Sequence, residues 1–465
     1  MEKRRKVDTP SAVMKEEGGK RNSNSMLRSF NSVSSTNSQI TETKNKQGLI
    51  PLTENDLKIN IGDDKNAKVE EFMKTFLNNV FENKNVLFIY CKYVMFYYGK
   101  GLISENEIDS LHFETINGGI TNILVKVENS LEKKKFLIRL YGPKTSQIIN
   151  REREKLISDI LYDKKISKKI FVFFPNGRIE EFMEGYALSR EDIKNESFQK
   201  EIAKNLRILH NISLSDSLCQ ELQNLQQAEA GNFDTSGGTS GGTSGGTSGG
   251  TSGGTSGGTS GGTSGGTSGG RTSFLWATIW KYFHALNEER QKTCPFDSKA
   301  NVLKLIDFDM LKKTISEIEE LCNKKKSPIV LCHCDLLSSN IINTTSNTIS
   351  FIDFEYSCPM ERAYDIANHF NEYAGFNCDW DLIPSKEEEF NFVKHYLNTE
   401  DDVLINQLID EIQPFYVCSH INWGLWALLQ GMHSPIDFDF INYGMTRLTA
   451  SCLTIFRSKV KSQAQ

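Results

Sequence analysis

Two stretches of this chain decide its fold: IVLCHCDLLSSN, residues 329–340, and FIDFEY, residues 351–356. The first opens as an apolar, strand-like run, and a short polar turn leads to the second, so the two flank a hairpin. An aspartate, four residues, an asparagine and then a hairpin that ends in another aspartate is the arrangement of a phosphoryl-transfer catalytic loop. The residues in these positions are Asp335, Asn340 and Asp353.

Each of these three side chains has a distinct task in such a loop. Asp335 would orient the attacking hydroxyl group and accept its proton. Asn340 and Asp353 would offer hard oxygen ligands to Mg²⁺, which bridges the phosphates of ATP. We interpret His333 as a hydrogen-bonded brace of the loop. Asp and Asn are also typical of ordinary turns and caps, and it is their order and context that favour catalysis.

Phosphoryl transfer also requires a nucleotide site, and the sequence offers candidates nearer the N-terminus. Residues 117–122, NGGITN, lie between two predicted strands, where backbone N–H groups can approach phosphates; a plain Gly-Gly hairpin turn explains them equally well. A cation in the next predicted strand would face the phosphates, and a glutamate on the following helix would pair with it, unless that glutamate lies on a solvated face. The candidates are Gly118, Gly119, Thr121, Asn122, Arg139 and Glu154.

The apolar patterns predict a strand-rich segment followed by helices. Strands are predicted over 113–116, 121–127 and 136–141, a helix over 146–161, and a hairpin over 170–183 with its turn at Asn176-Gly177. Helical periodicity covers 69–81, 198–212 and 273–286. This order predicts an α+β chain with a small strand-rich N-lobe and a larger helical C-lobe.

Two low-complexity regions divide the 465 residues. Residues 1–48 form a polar tail without hydrophobic periodicity, and residues 235–270 are nine copies of Thr-Ser-Gly-Gly. We predict disorder for both, because neither has side chains for a core; the repeat is either a plain surface loop or a modified regulatory segment. The N-lobe is predicted over 49–182 and the C-lobe over 183–460.

Composition excludes several classes of function. The net charge is −5, and the tail carries +5, so the remainder is acidic, which argues against a nucleic-acid surface. No signal peptide is apparent, and the most apolar stretch, 85–99, is too short to cross a bilayer. The cysteines, Cys332 and Cys334 included, lack metal-ligand spacing and are predicted to be buried thiols. We expect a cytoplasmic protein without stable membrane insertion; a homodimer is left open.

Between about Leu111 and Arg447 the sequence resembles the choline/ethanolamine kinase family. The resemblance lies in HCDL (333–336) with NII (340–342), IDFEY (352–356), YDIANHF (364–370) and WGLW (423–426). It implies a protein-kinase-like, two-lobed fold. It also implies ATP-dependent phosphorylation of a small amino alcohol, with Asp335 as the base, Asn340 and Asp353 on magnesium, and Arg139 on the nucleotide phosphates. Cys334 departs from the asparagine common in the family, without removing a catalytic group.

The same resemblance favours ethanolamine as the substrate, because HFNEYAG (369–375) and Leu336-Leu337 look like the ethanolamine kinase branch. A primary ammonium is held by carboxylates, whereas a trimethylammonium is held by aromatic faces. The chain offers both, although the two tryptophans at i, i+3 are also typical of core packing. Choline kinase, a dual kinase, another small-molecule phosphotransferase and a pseudokinase scaffold are the alternatives. The candidate substrate residues are Asp335, Glu372, Trp423, Trp426 and Tyr443.

Overall fold

A computed structural model describes residues 84–116, 122–142, 149–231, 272–292, 298–434, 436 and 438–462. The predicted helix at 69–81, the tail at 1–48 and the repeat at 235–270 lie outside the described residues. Gly118, Gly119 and Thr121 also lie outside them.

An antiparallel sheet of five strands forms the N-lobe, in the order β1-β2-β3-β5-β4. Its strands are β1 (Leu111–Ile116), β2 (Asn122–Asn129), β3 (Lys135–Tyr141), β4 (Ile170–Phe174) and β5 (Gly177–Glu181). The central strand β3 is buried along five consecutive residues, since the sheet is covered on both faces. In its register Arg139 lies opposite Leu124 on one side and Arg178 on the other.

The turn between β4 and β5 confirms the predicted hairpin and depends on its glycine. A Cβ at Gly177 would lie 2.1 Å from the carbonyl oxygen of Arg139, so only glycine allows β5 to approach β3 this closely. Between β3 and β4 the chain forms helix α2 (Arg151–Asp163), whose first turn is capped by the side chain of Asn150. Helix α1 (Lys84–Tyr98) precedes the sheet and stacks Phe88 near Phe113 of β1.

The C-lobe is mainly helical, as the sequence predicted. Every residue from Phe415 to Gly431 in its longest helix is buried. That helix is α10 (Asp402–His433), and it packs against α5, α7, α8, α9 and α11. The C-lobe helices are α3 (Glu196–His210), α4 (Asp216–Gly231), α5 (Leu275–Gln291), α6 (Ser298–Leu303), α7 (Phe308–Lys325), α8 (Arg362–Asn371), α9 (Lys386–Leu397), α10 and α11 (Phe440–Ser462). None of the helices in the described ranges has the length and apolar character needed to traverse a membrane.

Two small sheets in the C-lobe contain parts of the stretches 329–340 and 351–356. Strand β7 (Ile329–Cys332) pairs antiparallel with β10 (Cys358–Glu361). The hairpin of β8 (Ile341–Thr344) and β9 (Ile349–Phe351) adds a third strand, β6 (Gly185–Ala187). The α+β, two-lobed fold is therefore confirmed, and the segment from β7 to β10 lies between its strand-rich and helical parts.

Helices α10 and α11 approach each other through two glycines. A Cβ at Gly444 would lie 2.9 Å from the carbonyl oxygen of Gly424, and a Cβ at Gly424 would lie 2.8 Å from the side chain of Leu448. Each glycine follows an aromatic residue, Trp423 in α10 and Tyr443 in α11. The absence of side chains here brings the two helices together and fixes where both rings lie.

Candidate active site

Asp365, a carboxylate of α8, holds the loop that follows β7. Both oxygens of Asp365 accept backbone N–H groups, from His333 at 2.7 Å and from Cys334 at 2.8 Å. His210 of α3 lies 3.0 Å from Asp365 through Nε2. His333 is buried and its Nε2 lies 3.0 Å from the carbonyl oxygen of Ile352, which agrees with the predicted brace. The backbone of the loop is thus fixed at the two residues that precede Asp335.

Three residues of the segment from β7 to β10, including Asn347 in the hairpin turn, have backbone conformations that residues with side chains rarely adopt. Cys334 and Asp353 both have φ of +68°, in the left-handed region. Cys334 directly precedes Asp335, and Asp353 is itself a predicted catalytic residue. Such conformations are retained where surrounding contacts impose them. The bonds of Asp365 to the loop supply that constraint at Cys334.

Asp335 and Asn340 lie together, as their spacing predicts. The amide nitrogen Nδ2 of Asn340 donates to the Asp335 carboxylate at 3.1 Å and to its backbone carbonyl at 2.8 Å. Burial raises the pKa of Asp335 well above its usual range, and the negative charges of Glu372, Asp353 and Glu355 add to that effect. The charges of four carboxylates therefore act on one another here, a concentration of negative charge suited to cations.

Asp353 is joined to the N-lobe by Arg139, whose Nη1 lies 3.0 Å from Oδ1 of Asp353. Burial acts to raise the pKa of Asp353, but the charges of Arg139 and Arg178 lower it overall. On its own sheet, Arg139 lies 3.5 Å from Glu180 through Nε. The predicted phosphate-facing cation is thus fully buried at the boundary between the lobes.

The expected pair of Arg139 with Glu154 is wrong. Glu154 of α2 instead pairs with Arg178 of β5 and, at 2.7 Å, with Arg151 of its own first turn. The register explains this, because Arg178 lies directly opposite Arg139 and presents a second cation on the same face of the sheet. Although burial acts to raise the pKa of Glu154, the charges of Arg178 and Arg151 lower it overall.

The ion-pair network continues across the cleft to Glu355. Arg151 lies 3.2 Å from Oε2 of Glu355, and Asn122 donates to the same oxygen at 3.1 Å. Burial raises the pKa of Glu355 to about 7, with Asp353 and Glu154 adding to it. Asn122, at the start of β2, is therefore hydrogen-bonded to Glu355, two residues after Asp353.

The two tryptophans of α10 form an aromatic cluster with Tyr356. The ring of Trp423 lies 5.2 Å from that of Tyr356 and 5.1 Å from that of Trp426, both in T-shaped contacts. The indole N–H of Trp423 donates to Oδ1 of Asn368 at 2.8 Å. Asn368 in turn donates to the carbonyl oxygen of Cys334 at 3.1 Å. The cluster is thus connected to the catalytic loop.

Glu372 and Tyr443 lie next to a residue that the sequence analysis did not single out. Arg447 of α11 is fully buried and lies 3.3 Å from Oε1 of Glu372 through Nη2. Its guanidinium carbon lies 5.5 Å from the centre of the Tyr443 ring. The sequence analysis did not assign a functional role to Arg447, Arg178, Asn368 or Tyr356. For Arg447 and Arg178 a signal was available, since each is an arginine in an otherwise apolar helix or strand.

Fold and site together define a phosphotransferase of the protein-kinase-like class. The sequence profile of the choline/ethanolamine kinase family matches residues 113–452. That match spans most of the sequence, and the chain belongs to the choline/ethanolamine kinase family.

Relatives and solved structures support this membership. A probable ethanolamine kinase of Arabidopsis thaliana is 31% identical over 73% of this chain and 79% of its own length. A probable ethanolamine kinase A of Dictyostelium discoideum is also 31% identical, over 74% and 85%. The solved structure of an ethanolamine kinase from Plasmodium vivax is 63% identical, covers 87% of this chain and 100% of that one, and has a TM-score of 0.73. A choline kinase from Cryptosporidium parvum, 21% identical over 82% and 97% with a TM-score of 0.54, shares the fold.

Proposed function

We propose that this chain transfers the γ-phosphoryl group of ATP to the hydroxyl group of ethanolamine. The observation that carries the proposal is the geometry of the loop, in which Asn340 donates to the carboxylate of Asp335 and accepts at 3.0 Å the backbone N–H of Ile352, the neighbour of Asp353. It occurs in a chain that is 63% identical to an ethanolamine kinase. The product, phosphoethanolamine, enters phospholipid synthesis. The cytoplasmic location stays a prediction from the sequence, and the sequence leaves open whether the protein forms a homodimer.

Asp335 is the group that we assign to the proton of the substrate hydroxyl. Its carboxylate is held by Asn340, so it is oriented before the substrate arrives, and a raised pKa makes it a better proton acceptor than an ordinary aspartate. The positive charge of a bound ammonium group would favour its ionised form. Acid should therefore reduce kcat/KM by protonating Asp335.

The residues that we assign to Mg²⁺ have the hard oxygens that this ion prefers. Oδ1 of Asn340 accepts no hydrogen bond from the described residues, since the amide nitrogen alone is used. Asp353 commits one oxygen, Oδ1, to Arg139, and the other has no partner among the described residues. When bound, the ion supplies charge neutralisation to the phosphate oxygens of ATP. Asn340 and Asp353 fit that role.

The nucleotide site is assigned to the N-lobe residues predicted from the sequence. Arg139 has its charge next to Asp353, and this supports our assignment of it to phosphates that would be bridged to a metal ligand. Asn122 borders residues 117–121 and is tied to Glu355. We assign Glu154 an indirect part, since it contacts Arg178 and Arg151 rather than Arg139.

For the amine we assign two carboxylates, Asp335 and Glu372, and the aromatic residues Trp423, Trp426 and Tyr443. A primary ammonium has three N–H donors, which carboxylate oxygens accept. Choline is the second candidate substrate, because the cluster around Trp423 offers aromatic faces to a trimethylammonium.

An ADP-release assay tests the proposal, with ATP and Mg²⁺ and with ethanolamine, choline or no acceptor. We expect turnover with ethanolamine at a higher kcat/KM than with choline. Asp335→Asn should reduce kcat by roughly 10²–10⁴-fold and leave ADP binding little changed. Absence of turnover with either amine would refute the function, and a loss below about tenfold in Asp335→Asn would refute the role of that residue.

A further inference from the structure

Helix α8 contacts the catalytic loop through three side chains on one of its faces. Asp365, Asn368 and His369 are spaced i, i+3 and i+4, so they lie side by side along the helix. All three side chains are fully buried. The proposed chemistry gives no part to Asn368 or His369, and both are turned toward the loop rather than toward other helices alone.

Two of these side chains fix the backbone just before Asp335. Asp365 accepts the N–H groups of His333 and Cys334, at 2.7 and 2.8 Å. Asn368 donates to the carbonyl oxygen of Cys334 at 3.1 Å, in the peptide group that joins Cys334 to Asp335. The N–H and the carbonyl group of Cys334, whose φ is +68°, are therefore both held by α8.

His369 fixes the backbone just after Asp335. Its Nδ1 lies 2.8 Å from the carbonyl oxygen of Leu336. Because a carbonyl oxygen only accepts, Nδ1 carries the proton and donates it. The ring itself is oriented by Tyr373, in a T-shaped contact with ring centres 5.5 Å apart, and by Phe392, at 5.4 Å. Asp335 thus lies between two stretches of backbone that the same helix holds.

A histidine at this position costs stability. Nε2 of His369 is buried and has no hydrogen-bond partner within the described chain, and burial lowers the pKa of the ring to about 4, so the ring is neutral at pH 7. A buried polar atom without a partner costs about 1–3 kcal/mol. Among the described residues, the one hydrogen bond that the side chain makes is the bond to Leu336. The benefit of the imidazole is therefore found at the catalytic loop.

We propose that His369 is a positioning residue for Asp335, the group assigned to the proton of the substrate hydroxyl. Together with Asp365 and Asn368 it holds the backbone on both sides of that aspartate, so that the carboxylate is oriented before the substrate binds. The inference rests on the proposed function and deepens it by naming what orients its base.

The physical reason is that proton transfer depends on position. A general base has to lie within hydrogen-bond reach of the hydroxyl group, and a displacement of about 1 Å is enough to cost about 100-fold in rate. Leu336 directly follows Asp335, so a peptide group released from His369 rotates at the expense of the orientation of that aspartate. His369 has no exposed surface, so neither substrate touches it and their binding should change little.

His369→Leu tests the proposal in the ADP-release assay. We expect kcat to fall by about 10- to 100-fold, because the carbonyl group of Leu336 is no longer held. The KM values for ATP and ethanolamine should stay within about threefold of wild type, as for a contact that matters in the transition state alone.

His369→Asn supplies the rescue. The amide nitrogen of asparagine takes the place of Nδ1 and donates to Leu336, so kcat should stay within about fivefold of wild type. Both variants lose the packing of the ring, and a merely structural role would therefore not separate their kcat values. A His369→Leu variant with the wild-type kcat, or a His369→Asn variant that loses as much as His369→Leu, would overturn the proposal.

Tyr373→Phe is the matched control. The hydroxyl group of Tyr373 donates to the carbonyl oxygen of Ile193 at 3.0 Å, which is the same kind of bond made to backbone outside the catalytic loop. Its removal should lower the free energy of unfolding in urea by about 1 kcal/mol and leave kcat unchanged. A fall in kcat as large as that of His369→Leu would show a general loss of packing and overturn the specific role of His369.

A second amide variant covers the case in which His369→Leu does not fold. In His369→Gln the amide nitrogen corresponds to Nε2 instead of Nδ1, so kcat should fall below that of His369→Asn; equal values would overturn the proposal. A wild-type protein that phosphorylates neither amine would refute the proposed function itself, a result distinct from any comparison among the variants.

Discussion

Replacing Trp423 with phenylalanine distinguishes a binding pocket from an ordinary aromatic core. The substitution deletes the indole N–H that donates to Asn368 at 2.8 Å. Asn368 keeps its second donor, the hydroxyl group of Ser419, at 2.8 Å, so its carbonyl oxygen is not left unsatisfied. We therefore expect an effect on stability of about 1 kcal/mol, the net contribution of a typical hydrogen bond, with some loss of packing in addition.

The effect of Trp423→Phe on amine binding is separate from the loss of stability. If the face of Trp423 contacts the ammonium group, a phenyl ring weakens the attraction by about 0.5–2 kcal/mol. This corresponds to roughly a 2- to 30-fold rise in KM at 1.4 kcal/mol per factor of ten. The KM is measured for ethanolamine and choline by ADP release, and stability by urea denaturation of the same preparations.

A matched tryptophan outside the site provides the control. Trp280 of α5 donates its indole N–H to Glu319 at 2.9 Å and packs edge-on against Phe283. Trp280→Phe should therefore cost a similar free energy of unfolding and leave both KM values unchanged. If Trp423→Phe behaves like Trp280→Phe, with stability reduced and KM within about 1.5-fold of wild type (against the 2-fold minimum expected), Trp423 is a core residue and the pocket assignment is wrong.

Three further substitutions test other parts of the site. Asp353→Ala should shift the Mg²⁺ titration of activity to higher concentration, and an unchanged titration would remove it from the metal site. Arg178→Met leaves Glu154 buried without its main counter-ion, so the free energy of unfolding should fall by about 3–5 kcal/mol at pH 7. Because Glu154 has a lowered pKa, the wild type loses this advantage on acidification below about pH 4.5, and a pH-independent difference in urea stability would contradict the pair. Gly444→Ala should cost about 1–3 kcal/mol by overpacking against Gly424 and raise the ethanolamine KM; a wild-type KM with lowered Tm would show that helix spacing does not position the amine site.

Local sequence determined the catalytic loop, because its contacts are close in the chain. Asp335 and Asn340 are five residues apart and joined by their own hydrogen bond. The hairpin that brings Asp353 alongside is specified by alternating apolar residues and a polar turn. Strands and helices of the two lobes followed from periodicity for the same reason, since burial of one face fixes the period.

Tertiary structure alone decided which charges pair across the cleft. Glu154 has two arginines within reach, and the strand register, not the sequence spacing, gives it Arg178 and leaves Arg139 to Asp353. Arg447 is 75 residues from Glu372 and meets it only because the chain brings α11 back against α10 and the turn that follows α8. A sequence shows which residues can ionise, but the partner of a buried charge depends on how elements distant in the chain pack, and packing is a property of the whole fold.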